Sequence, residues 1–375
     1  MFARLKIKSP VYAIGATIAV AVGFLLSGLS QNLEHWSTDL QIATLSARRT
    51  SQYPRIALIV VNERTLQDHA YTSPIDRRLL ADVVDRLDAS GATVIGLDIV
   101  LDRRTEPDKD ARLLASIRKA KAKIVLASLD TRTDLPEINR AFQSDFLSQA
   151  GRPIGHSYFD ENHNPLELSD RTVRFIASSS PDTPPRRSFA EVVAAAAGYD
   201  IKLRTTYISW LLPPRNGTET FLTLSAEHVL GHSEAATALP LNELFRDRIV
   251  LVGGDFPDRD QHLTPLTVVS SERYNGLVIH AQILAQLLDH RTIHPLTWPL
   301  QLLILTVVAC GGIWFGRRDR FGHYQFWIRS VGVVVLIAVS ALAFALFGIL
   351  FPITLTLLFL LAGTTFGYHS RRYIE

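Results

Sequence analysis

From Ser330 to Tyr368 the chain reads SVGVVVLIAVSALAFALFGILFPITLTLLFLLAGTTFGY, without a single Asp, Glu, Lys, Arg or His. A helix needs about 20 apolar residues to cross the hydrocarbon core of a membrane. This run is too long for one crossing and fits two, with Pro352 near its middle as the break between helices. Two more charge-free runs come earlier, Pro10 to Leu29 and Trp298 to Phe315, and each fits one span. Core helices of soluble proteins keep a polar face, and these runs have none. The sequence therefore predicts four transmembrane helices, over 10–29, 298–316, 330–350 and 352–368. One lies before and three lie after a large polar region, 30–297.

Basic residues set the orientation. Arg4, Lys6 and Lys8 precede the first span, Arg317, Arg318, Arg320 and Arg329 fill the loop 317–329, and Arg371 and Arg372 follow the last span. The turn Gly348 to Pro352 carries no charge. Lys and Arg stay cytoplasmic because each costs about 2.5–3.5 kcal/mol at the membrane centre. All three basic clusters lie inside only if the segments 1–9 and 369–375 are both cytoplasmic, which puts 30–297 outside. The expected location is the cell inner membrane, with several passes and the large domain in the periplasm.

Ser27, Gly28 and Ser30 resemble a signal-peptide cleavage site, and cleavage of the first span stays an alternative. Against it, the apolar body exceeds the roughly 7–15 residues of a signal peptide. The only cysteine, Cys310, falls in the second span, so the outer domain has no disulfide and is held by its core. Asn216-Gly217-Thr218 matches a glycosylation acceptor but reads as a turn in a bacterial protein. The net charge of +3 is accounted for by the membrane-flanking clusters. No basic stripe with interleaved aromatics appears, so nucleic acid is not an expected partner.

Between the spans, strands and helices alternate. Ile56 to Val61 is a continuous aliphatic run, as in a strand buried on both faces. Asp76 caps a helix with Leu79, Leu80, Val83, Val84 and Leu87 on one side, ending at Gly91. Ala92 to Leu97 is the next strand, Asp108 to Ala120 a charged helix with Leu113, Leu114 and Ile117 inward, and Ile124 to Ala127 a third strand. The βαβαβ order predicts an α/β extracytoplasmic domain with a mainly parallel sheet. From Asp130 to Thr206 the pattern is less regular, with Pro181, Pro184 and Pro185 in an exposed loop. Ser188-Phe189-Ala190-Glu191 is then a capping box opening an Ala-rich helix that Gly198 ends. A strand Ile249 to Val252 and a helix of about Leu277 to His290 close the domain.

Chemical motifs are scarce. The chain has no phosphate loop with its lysine, no GxSxG, no HExxH and no CxxC, so no catalytic residue, cofactor or metal is assigned. It does place acids where strands end: Glu63, Asp98 and Asp255, with Asp258 and Asp260 just beyond. Ligands gather at the carboxyl ends of an open parallel sheet, where such acids would share a crevice suited to a cation or an amine. Singly, each is more simply a cap or a loop-ordering residue, and His280 a hydrogen-bonded histidine of the last helix. The candidate ligand-binding set is Glu63, Asp98, Asp255, Asp260 and His280.

Phe245-Arg246-Asp247-Arg248-Ile249-Val250-Leu251-Val252-Gly253, Asp260, Thr264-Pro265 and Gly276-Leu277-Val278-Ile279-His280-Ala281-Gln282 together resemble the closing signature of the CHASE type 2 sensory domains. Those are extracytoplasmic input domains of bacterial membrane receptors. Gly91 to Ile99 resembles that family's second-strand motif, and Asn216-Gly217-Thr218 with Leu224-Ser225-Ala226 its mid-domain turn and helix start. The resemblance extends over nearly the whole chain, because the family places one span before the domain and typically three after it. Two places depart from it. Asn62-Glu63 stands where the family usually has an acidic pair, and Ser73-Pro74-Ile75-Asp76-Arg77 lacks the tryptophan-proline motif.

The resemblance implies a sensor that passes a conformational change through its helices to a membrane or cytoplasmic signalling partner, or within a homo-oligomer in the lipid bilayer. Relatives usually continue into a cyclase or kinase, whereas only 369–375 follow the last span, so the chain itself is not expected to be an enzyme. Gly312 to Gly316 and Gly363 to Gly367 are GxxxG patterns that let membrane helices approach closely. An alternative is a scaffold that docks a periplasmic protein instead of a small ligand. A third reading, a metal-dependent hydrolase built on Asp98, Asp255 and Asp260, lacks an evident nucleophile or base.

Overall fold

A computed structural model describes residues 23, 28–67, 69–161, 171–199, 207–231, 239–258, 260–318 and 324–371. Most of the expected first span, 10–29, lies outside them. Helix α1 (Gly28–Leu45) runs past the end of that span into the polar region. Strand β1 (Tyr53–Val61) follows, then α2 (Arg77–Ala89), β2 (Val94–Asp98), α3 (Pro107–Lys119) and β3 (Lys123–Ser128). Next come α4 (Glu137–Ala150), β4 (Ile154–His156), α5 (Phe189–Ala196), β5 (Phe221–Ser225), β6 (Ile249–Gly254) and α6 (Gly276–Leu288). Three long helices finish the chain: α7 (Trp298–Arg317), α8 (Gln325–Phe347) and α9 (Ile353–Arg371).

The six strands form one sheet in the order β4-β3-β2-β6-β1-β5, every neighbouring pair parallel. Successive strand residues point to opposite faces, and both faces are covered. Ile56, Leu58, Val94, Val125, Ile249 and Leu251 pack with α5 and α6. Ala57, Ile59, Ile95, Ile124, Val250 and Val252 pack with α2, α3 and α4. Burial on both sides explains why these strands are aliphatic throughout instead of alternating with polar residues. Asp76 caps α2 as expected, accepting from the Arg78 and Leu79 N–H groups at 2.8 and 3.3 Å. The Ser188–Glu191 capping box opens α5. Helix α4 has no counterpart in the sequence reading, because a helix with a polar stripe as wide as its Phe142–Phe146–Leu147–Ala150 edge is hard to tell from loop.

Helix α6 is buried on nearly all sides. Its two buried glutamines act as a ladder: the Gln282 and Gln286 oxygens accept from the Leu211 and Ser209 N–H groups at 2.8 and 2.7 Å. Their amide nitrogens donate to the Leu211 and Tyr207 carbonyls. The helix thereby supplies the hydrogen bonds that a neighbouring strand would give to that extended segment.

Two described helices, Trp298–Arg317 and Arg329–Phe347, are long and apolar enough to cross a membrane, while Ile353–Tyr368 is apolar but shorter. Pro352 does separate α8 from α9. The turn between them returns to the domain. His294 and Pro295, at the domain exit, pair with Ile349 and Leu350 in a short parallel ladder. Gln41 of α1 joins the same junction, donating to the Phe351 carbonyl at 2.9 Å and accepting from the Ser340 hydroxyl at 3.0 Å.

Candidate functional site

The carboxyl ends of the parallel strands open into a cavity of about 720 Å³. Its location follows from topology. After β2 the chain leaves towards α3 on one face of the sheet, and after the neighbouring β6 it leaves towards α6 on the other. Adjacent strands whose connections diverge leave a crevice between their tips. Asp98 ends β2 in register with Gly253 of β6. A Cβ on Gly253 would stand 2.9 Å from Leu277 Cδ1, so glycine there lets α6 press against the strand tip and bring His280 into the cavity.

Asp98, Asp260 and His280 all line this cavity. Glu63 and Asp255 lie outside its lining. Glu63 is exposed on the first turn of a short helix, Glu63–Leu66. Asp255 instead accepts from Asn275 Nδ2 at 3.0 Å, and the Asn275 oxygen in turn caps α6 through the Val278 N–H. Sheet geometry separates the five: the tips of β1 and β6 continue into local turns that carry Glu63 and Asp255 aside, whereas β2 ends directly on the crevice. Ser73, Pro74 and Ile75, where the sequence departs from the CHASE type 2 pattern, form part of the wall.

Asp98 has 10% of its side chain exposed, and the His280 Nε2 lies 3.7 Å from its Oδ1. Burial, reinforced by the negative charge of Asp260, raises the Asp98 pKa well above the carboxylate range, with His262 pulling the other way. Burial likewise lowers His280 to about 3, helped by the nearby His156 and His262, so the ring is neutral. Neither His280 nitrogen has a hydrogen-bond partner among the described residues. Phe159 and Phe189 lie against its ring at centroid distances of 4.5 and 5.1 Å.

His262 has the opposite environment. Its two ring nitrogens face Glu161 Oε1 and Asp260 Oδ1, each at 2.9 Å. Burial disfavours its charge, but the two carboxylates outweigh this and raise its pKa. Asp260, at φ +55°, also accepts from the Gly276 N–H at the start of α6. Arg132 is engaged by Asp130 and stacks on Tyr158 at 4.3 Å. His262, Glu161, Phe159 and Arg132 were not singled out in the sequence. They sit in irregular segments without periodicity, and the only pointer was the closeness of His262 to Asp260. No group of three or more His, Cys, Asp or Glu suited to a metal occurs among the described residues.

Buried histidines predict an acid-sensitive fold. His156, at the end of β4, is fully buried, and burial and Arg132 lower its pKa to about 4, with Asp130 and Asp182 opposing. A histidine whose folded pKa lies below its unfolded value of about 6.5 stabilises fully above that value. The contribution is lost as pH falls from about 6.5 towards 4. In urea titrations, His156→Gln should show a shallower fall in stability over this window, by about 1.4 kcal/mol per pH unit. Asp98 runs in the opposite sense in both proteins and so cancels in the comparison. Parallel pH curves for the two proteins would contradict the burial argument.

The family model described as CHASE2 domain matches residues 16–314 of this chain. Comparison with curated proteins finds no match, nor does comparison with solved structures.

Proposed function

This chain belongs to the CHASE2 domain family, a family of sensory extracytoplasmic domains, and from that premise we propose that it is a membrane-anchored sensor binding a small ligand in the strand-tip cavity. The observation that carries the reading is the course of α6. One end places His280 in the cavity, and the other leads through Ile293 and His294 directly into α7. Thirteen residues of α-helix span about 20 Å. A ligand shifts such a device only if it binds two arrangements of α6 with different affinity. We place the output on a signalling partner, with no catalytic role for the cavity residues.

We further propose the full four-span topology, with both ends cytoplasmic and the domain in the periplasm. Its support is the register of the helices. The α8–α9 turn lies beside the domain exit, which supports reading α7 and α8 as one crossing each. Helix α9 runs alongside α7, with Gly363 against Ala309 and Gly367 against Ile313, and so occupies the same slab despite its shorter apolar stretch. The N-terminal part of α1 heads the same way: Gln41 meets Phe351, while Leu33 meets Thr354. In sequence, the expected span 10–29 ends in the first turn of α1.

A reporter of extracytoplasmic location such as alkaline phosphatase, fused after the exposed Asp134, should be active in cells. An inactive fusion at that site, with a cytoplasmic reporter active instead, would remove the topology and the sensor reading together.

A further inference from the structure

The acidic and basic side chains of the cavity wall are matched with two exceptions. Arg132 is held by Asp130, His262 by Glu161 and Asp260, and Arg103 lies 3.7 Å from Asp102. The exceptions are Asp98 and His280. No hydrogen bond is found for the Asp98 carboxyl among the described residues; the His280 ring stands 3.7 Å from it, and Asp260 and His262 act on it from further off. His280 is 2% exposed and unpartnered at both nitrogens. Buried polar groups of this kind call for a partner.

The chemistry of this pair selects the partner. An unmatched buried carboxyl accepts a cation, and a neutral imidazole offers a lone pair to one of its N–H groups. An anion would meet Asp98 and Asp260. A bare metal ion would need a third ligand that this corner does not supply. An ammonium group has three donors and satisfies both side chains at once. Around the pair, Phe159, Tyr158, Ile99 and Val100 form walls for a carbon body, and aromatic faces attract cations. The volume of about 720 Å³ is that of a small-molecule site.

We propose that the cavity binds a small organic primary amine as its ammonium ion, the head group seated between Asp98 at the tip of β2 and His280 on α6. This rests on the ligand-binding reading above and names its ligand class. Because the two side chains belong to different elements, such a head group ties the sheet to the helix that continues into the membrane. Burial favours the neutral form of Asp98, so seating an ammonium against its carboxylate releases a proton to solvent. Amine affinity therefore rises with pH.

The test uses the full chain in lipid nanodiscs with four probes: butylamine, ethanolamine, acetate and glucose. The amines are expected to raise Tm by several degrees at saturation, and more at pH 8 than at pH 6. Asp98→Asn should weaken amine binding about 30-fold or more, and His280→Gln measurably less. If Asp98→Asn fails to fold, His280→Gln and the pH dependence decide. Stabilisation by acetate or glucose but not by amines would overturn the amine assignment and leave the sensor intact. No response to any probe, with the Asp134 fusion active outside, would likewise overturn it. No response together with a cytoplasmic Asp134 would remove both.

Discussion

Asp39→Ala is expected to destabilise the protein by about 3–5 kcal/mol. Asp39 lies on α1, and Arg174 reaches it from the irregular segment beyond β4 with two hydrogen bonds of 2.8 and 2.7 Å. Both side chains are 5% exposed. A surface pair of the same geometry would contribute at most about 1 kcal/mol, because water competes for both partners. Here water is excluded, so removing the carboxylate takes two charge-assisted hydrogen bonds from a desolvated guanidinium. The structural consequence is specific, since this pair fastens α1 to the segment beyond β4. Chemical denaturation of the detergent-solubilised protein measures the loss. Replacing both residues with apolar ones of similar size should restore much of it. A cost below about 1 kcal/mol for Asp39→Ala would show that the pair is solvated after all.

Gly316→Leu is expected to break the contact between α7 and α9. A Cβ at Gly316 would stand 2.4 Å from the Thr364 carbonyl oxygen, and one at Gly367 would stand 2.4 Å from the Ile313 oxygen. These neighbours are backbone, which cannot rotate away as a side chain does. The helices must separate, at a cost of at least the about 1–3 kcal/mol of an overpacked core. Under the proposed topology both helices lie in lipid, where close backbone approach is a large share of what holds helices together. Gly311, next to Gly312 on the same helix, provides the control, since a Cβ there meets nothing within 4 Å. In SDS unfolding titrations, Leu at 312, 316, 363 or 367 should lower stability, while Gly311→Leu should not. Equal losses at 311 and 316 would contradict the seam. Under the proposed function, α7 and α9 move as one body, and Gly316→Leu would also uncouple α6 from its output.

The GxxxG patterns were visible as spacing, but their use was not. The same glycines would serve contact between copies of the chain or contact within one, and only the register of α7 against α9 shows them facing each other. The acids show the same division. Hydropathy located the strand ends, so Asp98 and Asp260 could be named as candidates before any coordinates. Glu63 and Asp255 satisfied that rule equally well and point elsewhere. His262 and Glu161, which meet at 2.9 Å although more than a hundred positions apart, satisfied no local rule at all.

The sequence by itself determined the apolar runs, the alternation of buried strands with capped helices, and hence the α/β class of the domain. Those properties depend on neighbours within one or two turns of the chain, where side-chain periodicity and capping act directly. Only the tertiary structure decided that β6 inserts between β1 and β2, and with that which acids share the cavity and which histidine faces them. Strand order is set by packing between segments far apart in the chain, and no local pattern encodes it.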